Sequence, residues 1–118
     1  MKQNKNIYYV YALVSSLDNK PFYIGKGKGR RMNCHLEFYF RCEKLSKEEF
    51  NSKKRINKKK FYKIRKILKN GGYIIYKKII SNLSDEKALR VEKNIIKIIG
   101  LKNLCNLTNG GEGISGFK

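Results

Sequence analysis

Glu92 stands in a stretch whose apolar residues, Ala88, Leu89, Val91, Ile95, Ile96, Ile98 and Ile99, recur with helical spacing. It lies one turn from 88, 89, 95 and 96 and two turns from 99, so a helix there carries a carboxylate on its apolar face. A buried carboxylate without compensation is strongly disfavoured, so Glu92 needs a cation, a metal ion or a polar cleft at the edge of the core. An ion pair with one of the many Lys or Arg side chains meets that need, and so does service as a metal ligand or catalytic carboxylate. Arg31 and His35, four positions apart, share one face if that segment is helical. A guanidinium can fork onto a phosphate, and the imidazole, the only one in the chain, can relay a proton near neutral pH or simply contact a phosphate at the surface. Gly25, Gly27 and Gly29 in GKGKG can expose backbone amides to a phosphate, but the string matches neither GxxxxGKS/T nor GxGxxG, so no nucleotide-binding loop is expected.

The elements that must position these groups follow from periodicity. Residues 7 to 14 (IYYVYALV) are rich in β-branched and aromatic types, SSLDN supplies turn chemistry, and residues 21 to 25 (PFYIG) form a second apolar run, which together predict an antiparallel hairpin. Helical spacing is expected from about Arg30 through Phe40, and residues 41 to 57 read equally as a loop or a short helix. From Lys58 the pattern firms: Phe61, Ile64, Ile67 and Leu68 recur at three and four, and Asn70, Gly71 and Gly72 end a basic amphipathic helix. Residues 73 to 80 (YIIYKKII) read as a strand, and Ser84, followed by Asp85 and Glu86, caps a last helix that runs to Ile99 and stops at Gly100.

Length and composition bound the class. The chain has 118 residues with 41% hydrophobic residues, eight Tyr and six Phe, which predicts one domain over 1 to 118 with a modest packed core rather than a disordered chain. Cys34, Cys42 and Cys105 form no CxxC pair, so reduced thiols are expected rather than a disulfide framework or zinc ribbon. No run reaches the ~20 apolar residues of a membrane span and no signal-cleavage pattern follows the amino terminus, so a cytoplasmic protein without a membrane partner is expected. Lys and Arg number 28 against 9 Asp and Glu, a formal charge of +19. Between Asn51 and Ser84 there is no acidic residue, whereas a solvated helix would ordinarily mix signs. One-sign crowding of this kind is relieved by phosphate, which makes nucleic acid the expected partner.

In chain order these pieces resemble the GIY-YIG nuclease family over nearly the whole chain. Tyr9-Val10-Tyr11 stands where the family has its first tripeptide, Tyr23-Ile24-Gly25 reproduces the second, and Tyr23 follows Tyr11 by twelve positions. Arg31 and His35 follow at the family's spacing of four, Glu92 in ALRVEKNIIKIIG resembles the metal-ligand helix, and Asn106 in NLTNGGEG falls at the family's terminal polar residue. The departure that matters is Tyr9 in place of the leading glycine, a tolerant position in the family. PFYIGKGKGRR with NLTNGGEG is more similar to the stand-alone and junction-cutting branches, including the animal LEM-domain nucleases, than to the phage intron-homing enzyme. GGEGISG also resembles the point at which some homing endonucleases continue into DNA-binding repeats.

The resemblance implies an α/β fold, a small three-stranded antiparallel sheet flanked by helices, and a metal-dependent DNA endonuclease. It implies that Glu92 holds one divalent cation, Mg²⁺ or Mn²⁺, and that Tyr11 is the general base, passing its proton towards His35. Arg31 would stabilise charge on the phosphoryl oxygens, Tyr23 would position the water or phosphate, and Asn106 would hydrogen-bond near the site. No organic cofactor is implied. Lys26 and Lys28, beside the second motif, and Arg30, Lys58, Lys59, Lys60 and Lys63 are the expected phosphate contacts. Glu112 is expected to face solvent from its glycine-flanked loop. The competing readings are a catalytically silent nucleic-acid-binding module of the same fold and a basic scaffold or ribosome-associated protein. Glu92 discriminates among them, because a binding module has no use for a carboxylate on an apolar face.

Overall fold

The computed structural model describes residues 6–53 and 56–108. Glu112 lies outside them, as do Lys54 and Arg55 of the acid-free run. Strand β1 (Tyr8–Ser15) is the centre of a three-stranded antiparallel sheet of order β2-β1-β3, with β2 at Pro21–Lys28 and β3 at Ile74–Leu83. Both strands that flank β1 begin within one residue of their expected starts and run three residues past their expected ends, β2 through Gly25 to Lys28 and β3 to Leu83. GKGKG is therefore mostly strand and not a loop; only Gly29, at φ +60°, makes the left-handed turn that releases the chain.

Alternation along β1 sends Tyr9, Tyr11 and Leu13 to one face and Val10, Ala12 and Val14 to the other. The second face is covered by α4 (Asp85–Ile99), whose Ala88 and Ile96 pack with Ile24 and Leu104. Ser84 caps α4 by accepting from the Lys87 amide, and Gly100, at φ +98°, ends it. The first face carries α1 (His35–Glu43), α2 (Lys47–Ser52) and α3 (Lys58–Lys69), joined by an aromatic cluster in which Tyr39 stacks on Phe61 at 5.1 Å and Phe50 tilts against Phe61 at 4.8 Å. The ambiguous stretch before α3 thus contains a short helix, started by a reciprocal Ser46–Glu49 capping box and anchored by Phe50.

The expected helix from Arg30 is divided. Arg31–Cys34 forms a 3-10 turn and the α-helix begins only at His35, so Arg31 and His35 straddle a junction instead of sharing one α-helical turn. The three cysteines are free thiols, Cys34 exposed and Cys42 and Cys105 buried. Among the described residues no helix is long and apolar enough to cross a membrane.

Candidate active site

Tyr11 is the pivot. Its position on the central strand fixes its height, and a register shift between β1 and β3 at Val10/Tyr11, where the pairing skips from Ile80 to Lys78, adds local twist beside it. Its direct partner on β2 is Gly25. A Cβ at position 25 would stand 2.4 Å from both Tyr11 Cζ and Oη, well inside contact distance, so the second motif ends in glycine because the Tyr11 ring lies across it. Gly27 serves Arg31 in the same way: a Cβ there would stand 2.6 Å from Arg31 Cγ. The alternating glycines of β2 thus clear the surface on which a phenol and a guanidinium stem rest, a role that differs from amide exposure to a phosphate.

From that surface Tyr11 Oη lies 2.7 Å from His35 Nε2, a buried contact across 24 positions of sequence. Tyr23 closes the group, its ring centroid 6.5 Å from that of Tyr11 and 5.1 Å from that of His35. Arg31 is near enough that its charge acts on both Tyr11 and His35. Tyr9, the departure from the family's tripeptide, ties the turn down: its hydroxyl donates to the Gly29 carbonyl at 2.8 Å and accepts from the Met32 amide at 3.0 Å, bracketing Arg31.

Glu92 is 2% exposed on α4, as its phase on the apolar face requires, and its charge also reaches Tyr11. Burial pushes the Tyr11 phenol well above its ordinary 10.0, Tyr23, Tyr9 and Glu92 push the same way, and Arg31 opposes them. Burial, then Lys60 and Arg31, pull the His35 imidazole from 6.5 down to about 2, so the ring is neutral.

Asn106 belongs to the frame of the site. Its Oδ1 accepts from the Ile24 amide at 3.0 Å and its Nδ2 donates to the Ile24 carbonyl at 2.7 Å, so the side chain acts as one more residue of sheet on the outer edge of β2, between Tyr23 and Gly25. The Cys105 amide adds a bond to the Phe22 carbonyl at 2.7 Å.

The expected phosphate contacts divide. Arg30 and Lys59 are exposed. Lys63 points over Phe22, and with Lys20, Lys59 and Lys102 it lines an open cleft of about 510 Å³ that contains none of Tyr11, Tyr23, Arg31, His35 or Glu92. Lys58 reaches back over Phe50 and donates to the Asn51 carbonyl at 3.2 Å. Lys26 and Lys28 fall, by strand alternation, on the α4 face beside Tyr8, and Lys26 is paired with Asp85 at 2.5 Å. Lys60 is the clear correction: it is 3% exposed, with Nζ 2.9 Å from His35 Nδ1, so it is no surface contact but a member of the buried site. The signal for it was its phase, because 60, 64 and 67 lie on one stripe of α3 and Ile64 and Ile67 are core residues.

A known family covers this arrangement. The LEM-3-like GIY-YIG domain matches residues 12–114. The chain belongs to that family. Neither the curated proteins nor the solved structures contain a match to it. The GIY-YIG domain is a nuclease fold, and its three-stranded antiparallel sheet with flanking helices is the architecture seen here. The matched span takes in Tyr23, Arg31, His35, Glu92 and Asn106 of this GIY-YIG domain and begins one residue after Tyr11. The placing of Tyr11 therefore rests on its buried contact with His35.

Proposed function

We propose that this GIY-YIG domain is a metal-dependent DNA endonuclease that hydrolyses phosphodiester bonds at the Tyr11–His35 site. The observation that carries the reading is the 2.7 Å contact between Tyr11 Oη and His35 Nε2, built beside the charges of Arg31 and of a buried Glu92. Two tyrosines, an imidazole and a guanidinium within electrostatic reach of a buried carboxylate are the donors and charges that phosphodiester hydrolysis uses.

The donor set suits one Mg²⁺ or Mn²⁺. Among the described residues no group of three or more His, Cys, Asp or Glu could cage a metal. Magnesium in phosphoryl-transfer sites keeps several waters and is held by one or two carboxylates together with substrate phosphate, a pattern that the buried carboxylate of Glu92 fits. When bound, the ion would supply charge neutralisation at the scissile phosphate and the departing oxygen.

The remaining work falls to the chain. Arg31, its stem seated over Gly27, pairs with the phosphoryl oxygens and stabilises the charge that accumulates on them. Tyr11 Oη, as tyrosinate, takes a proton from the attacking water. The water oxygen bonds to phosphorus as the bond to the 3′-oxygen breaks, leaving a 5′-phosphate and a 3′-oxygen that takes its proton from solvent to become the 3′-hydroxyl. Tyr23 flanks the attack side and, held through Ile24 by Asn106, orients water or phosphate. The lysine-lined cleft and the outer face of α3 contact backbone phosphates elsewhere on the duplex, which supports affinity without base readout.

The test is cleavage of supercoiled plasmid and of a four-way junction in Mg²⁺, beside EDTA and beside Glu92→Gln. Cleavage that needs metal and is lost in the Gln variant, with DNA affinity equal or higher, is the expected result. Tight DNA binding without cleavage of either substrate would favour the silent binding module, and a Gln variant that cuts at the wild-type rate would remove Glu92 from the mechanism.

A further inference from the structure

Lys60 is buried on a helix whose neighbouring lysines mostly reach solvent, and a buried side-chain nitrogen must be compensated. Its surroundings identify its charge state. Nζ lies 4.8 Å from the centroid of Tyr23 and 4.3 Å from that of Phe38, against two π faces, an arrangement that attracts an ammonium and offers little to a neutral amine. An ammonium has three donors and no acceptor, so the 2.9 Å contact with His35 can run in one direction only, from Nζ–H into the lone pair of Nδ1.

The consequence passes through the ring. A neutral imidazole carries one proton, and with Nδ1 accepting, that proton must sit on Nε2. Nε2 is the atom 2.7 Å from Tyr11 Oη, so it donates to the phenol oxygen. We propose that Lys60 is a positioning residue of the site: it fixes His35 as the Nε2–H tautomer and so makes His35 a hydrogen-bond donor to Tyr11 rather than the acceptor of its proton.

Two features of the site change with this assignment. The direction of proton flow implied by the family resemblance, from Tyr11 towards His35, is closed while Lys60 occupies Nδ1. His35 instead stabilises the tyrosinate, and the O–H of the protonated phenol is directed away from the imidazole. Among the described residues, the groups near the Lys60–His35 pair include Tyr11 from β1, Tyr23 from β2, Arg31 from the 3-10 turn, Phe38 and Cys42 from α1 and Cys105 from the carboxy-terminal segment; both thiols sense the Lys60 charge. The cationic members, Lys60 and Arg31, both oppose protonation of the imidazole, which keeps the tautomer argument valid across neutral pH.

The catalytic consequence rests on the nuclease reading, but the decisive measurement does not. His35 is the only histidine, so ¹⁵N NMR of the imidazole nitrogens in the full chain reports it without assignment. In the wild type Nδ1 is expected unprotonated and Nε2 protonated throughout pH 6 to 8. In Lys60→Met, which keeps the bulk and removes the donor, protonated Nδ1 should gain population. A wild-type spectrum with protonated Nδ1 overturns the proposal with no variant needed, and so does a Met variant with unchanged tautomer. Should the Met variant fail to fold, the wild-type spectrum alone still decides. Cleavage is the second readout: the Met variant should lose roughly tenfold or more in rate with DNA affinity unchanged. A parallel loss of affinity would return Lys60 to phosphate contact. A wild-type protein that cuts no DNA but shows the expected tautomer would refute the nuclease reading and leave the Lys60 assignment standing.

Discussion

Lowering the pH below 6.5 asks the folded chain to accept a proton on a ring that is 6% exposed and flanked by the charges of Lys60 and Arg31. The folded ring titrates at about 2 and the unfolded one at its ordinary 6.5, so between those values the unfolded state holds a proton that the native state refuses. The sign is therefore fixed: this contribution is fully present above pH 6.5 and drains away as the pH falls towards 2. The loss is about 1.4 kcal/mol per pH unit, or roughly 2 kcal/mol on going from pH 7 to pH 5. In a domain of this size that is a fall of several degrees in Tm. The assay is urea unfolding at both pH values and constant ionic strength, for the wild type and for His35→Gln. Carboxylate titrations contribute alike to both proteins, so the difference of the two differences isolates the imidazole. The wild type should lose about 2 kcal/mol more than the variant. Equal losses in the two proteins, or a folded-state His35 titration midpoint near 6.5, would refute a neutral, Lys60-clamped imidazole at the base of the mechanism.

Three further outcomes follow from the geometry. Gly25→Ala should force Tyr11 off its seat by about 1 Å, costing roughly 1 to 3 kcal/mol in stability and on the order of 100-fold in cleavage, with DNA affinity retained; wild-type cleavage in the folded variant would show that the seat is not needed. Because burial raises the Tyr11 phenol and only its tyrosinate can take a proton, the single-turnover rate should climb about tenfold per pH unit through pH 7 to 9, and a flat profile would remove Tyr11 as base. Replacing Lys59 and Lys63 together with Ala should flatten the dependence of log Kd on log salt by about 2 and leave the cleavage rate at saturating DNA unchanged; an unaltered slope would place the phosphates elsewhere.

The parts of this protein that depend on one element's own period were legible in its sequence. Ser84, Asp85 and Glu86 start α4 and Gly100 stops it, because caps act on amides and carbonyls within a turn. The same 3.6-residue phase put Glu92 on the apolar face, and it is buried. Alternation in IYYVYALV determined that Tyr9 and Tyr11 share a face opposite Val10 and Ala12.

What only the tertiary structure decided are the meetings between elements. The glycines of GKGKG read in the sequence as amides open to a phosphate, and only the register of β1 against β2, which laid the Tyr11 ring over Gly25, and the chain's return, which laid Arg31 over Gly27, gave them their seating role. Asn106 bonds to a residue 82 positions away, and nothing in NLTNGG marks Ile24 as its partner. Lys60 shows the limit most plainly: its stripe position was in the sequence, but a lysine among lysines reads as one more phosphate contact. Only the packing of α3 against α1 and β2 supplied the imidazole and the two ring faces that make burial of its charge affordable, because compensation for a desolvated cation is a property of neighbours that chain order does not specify.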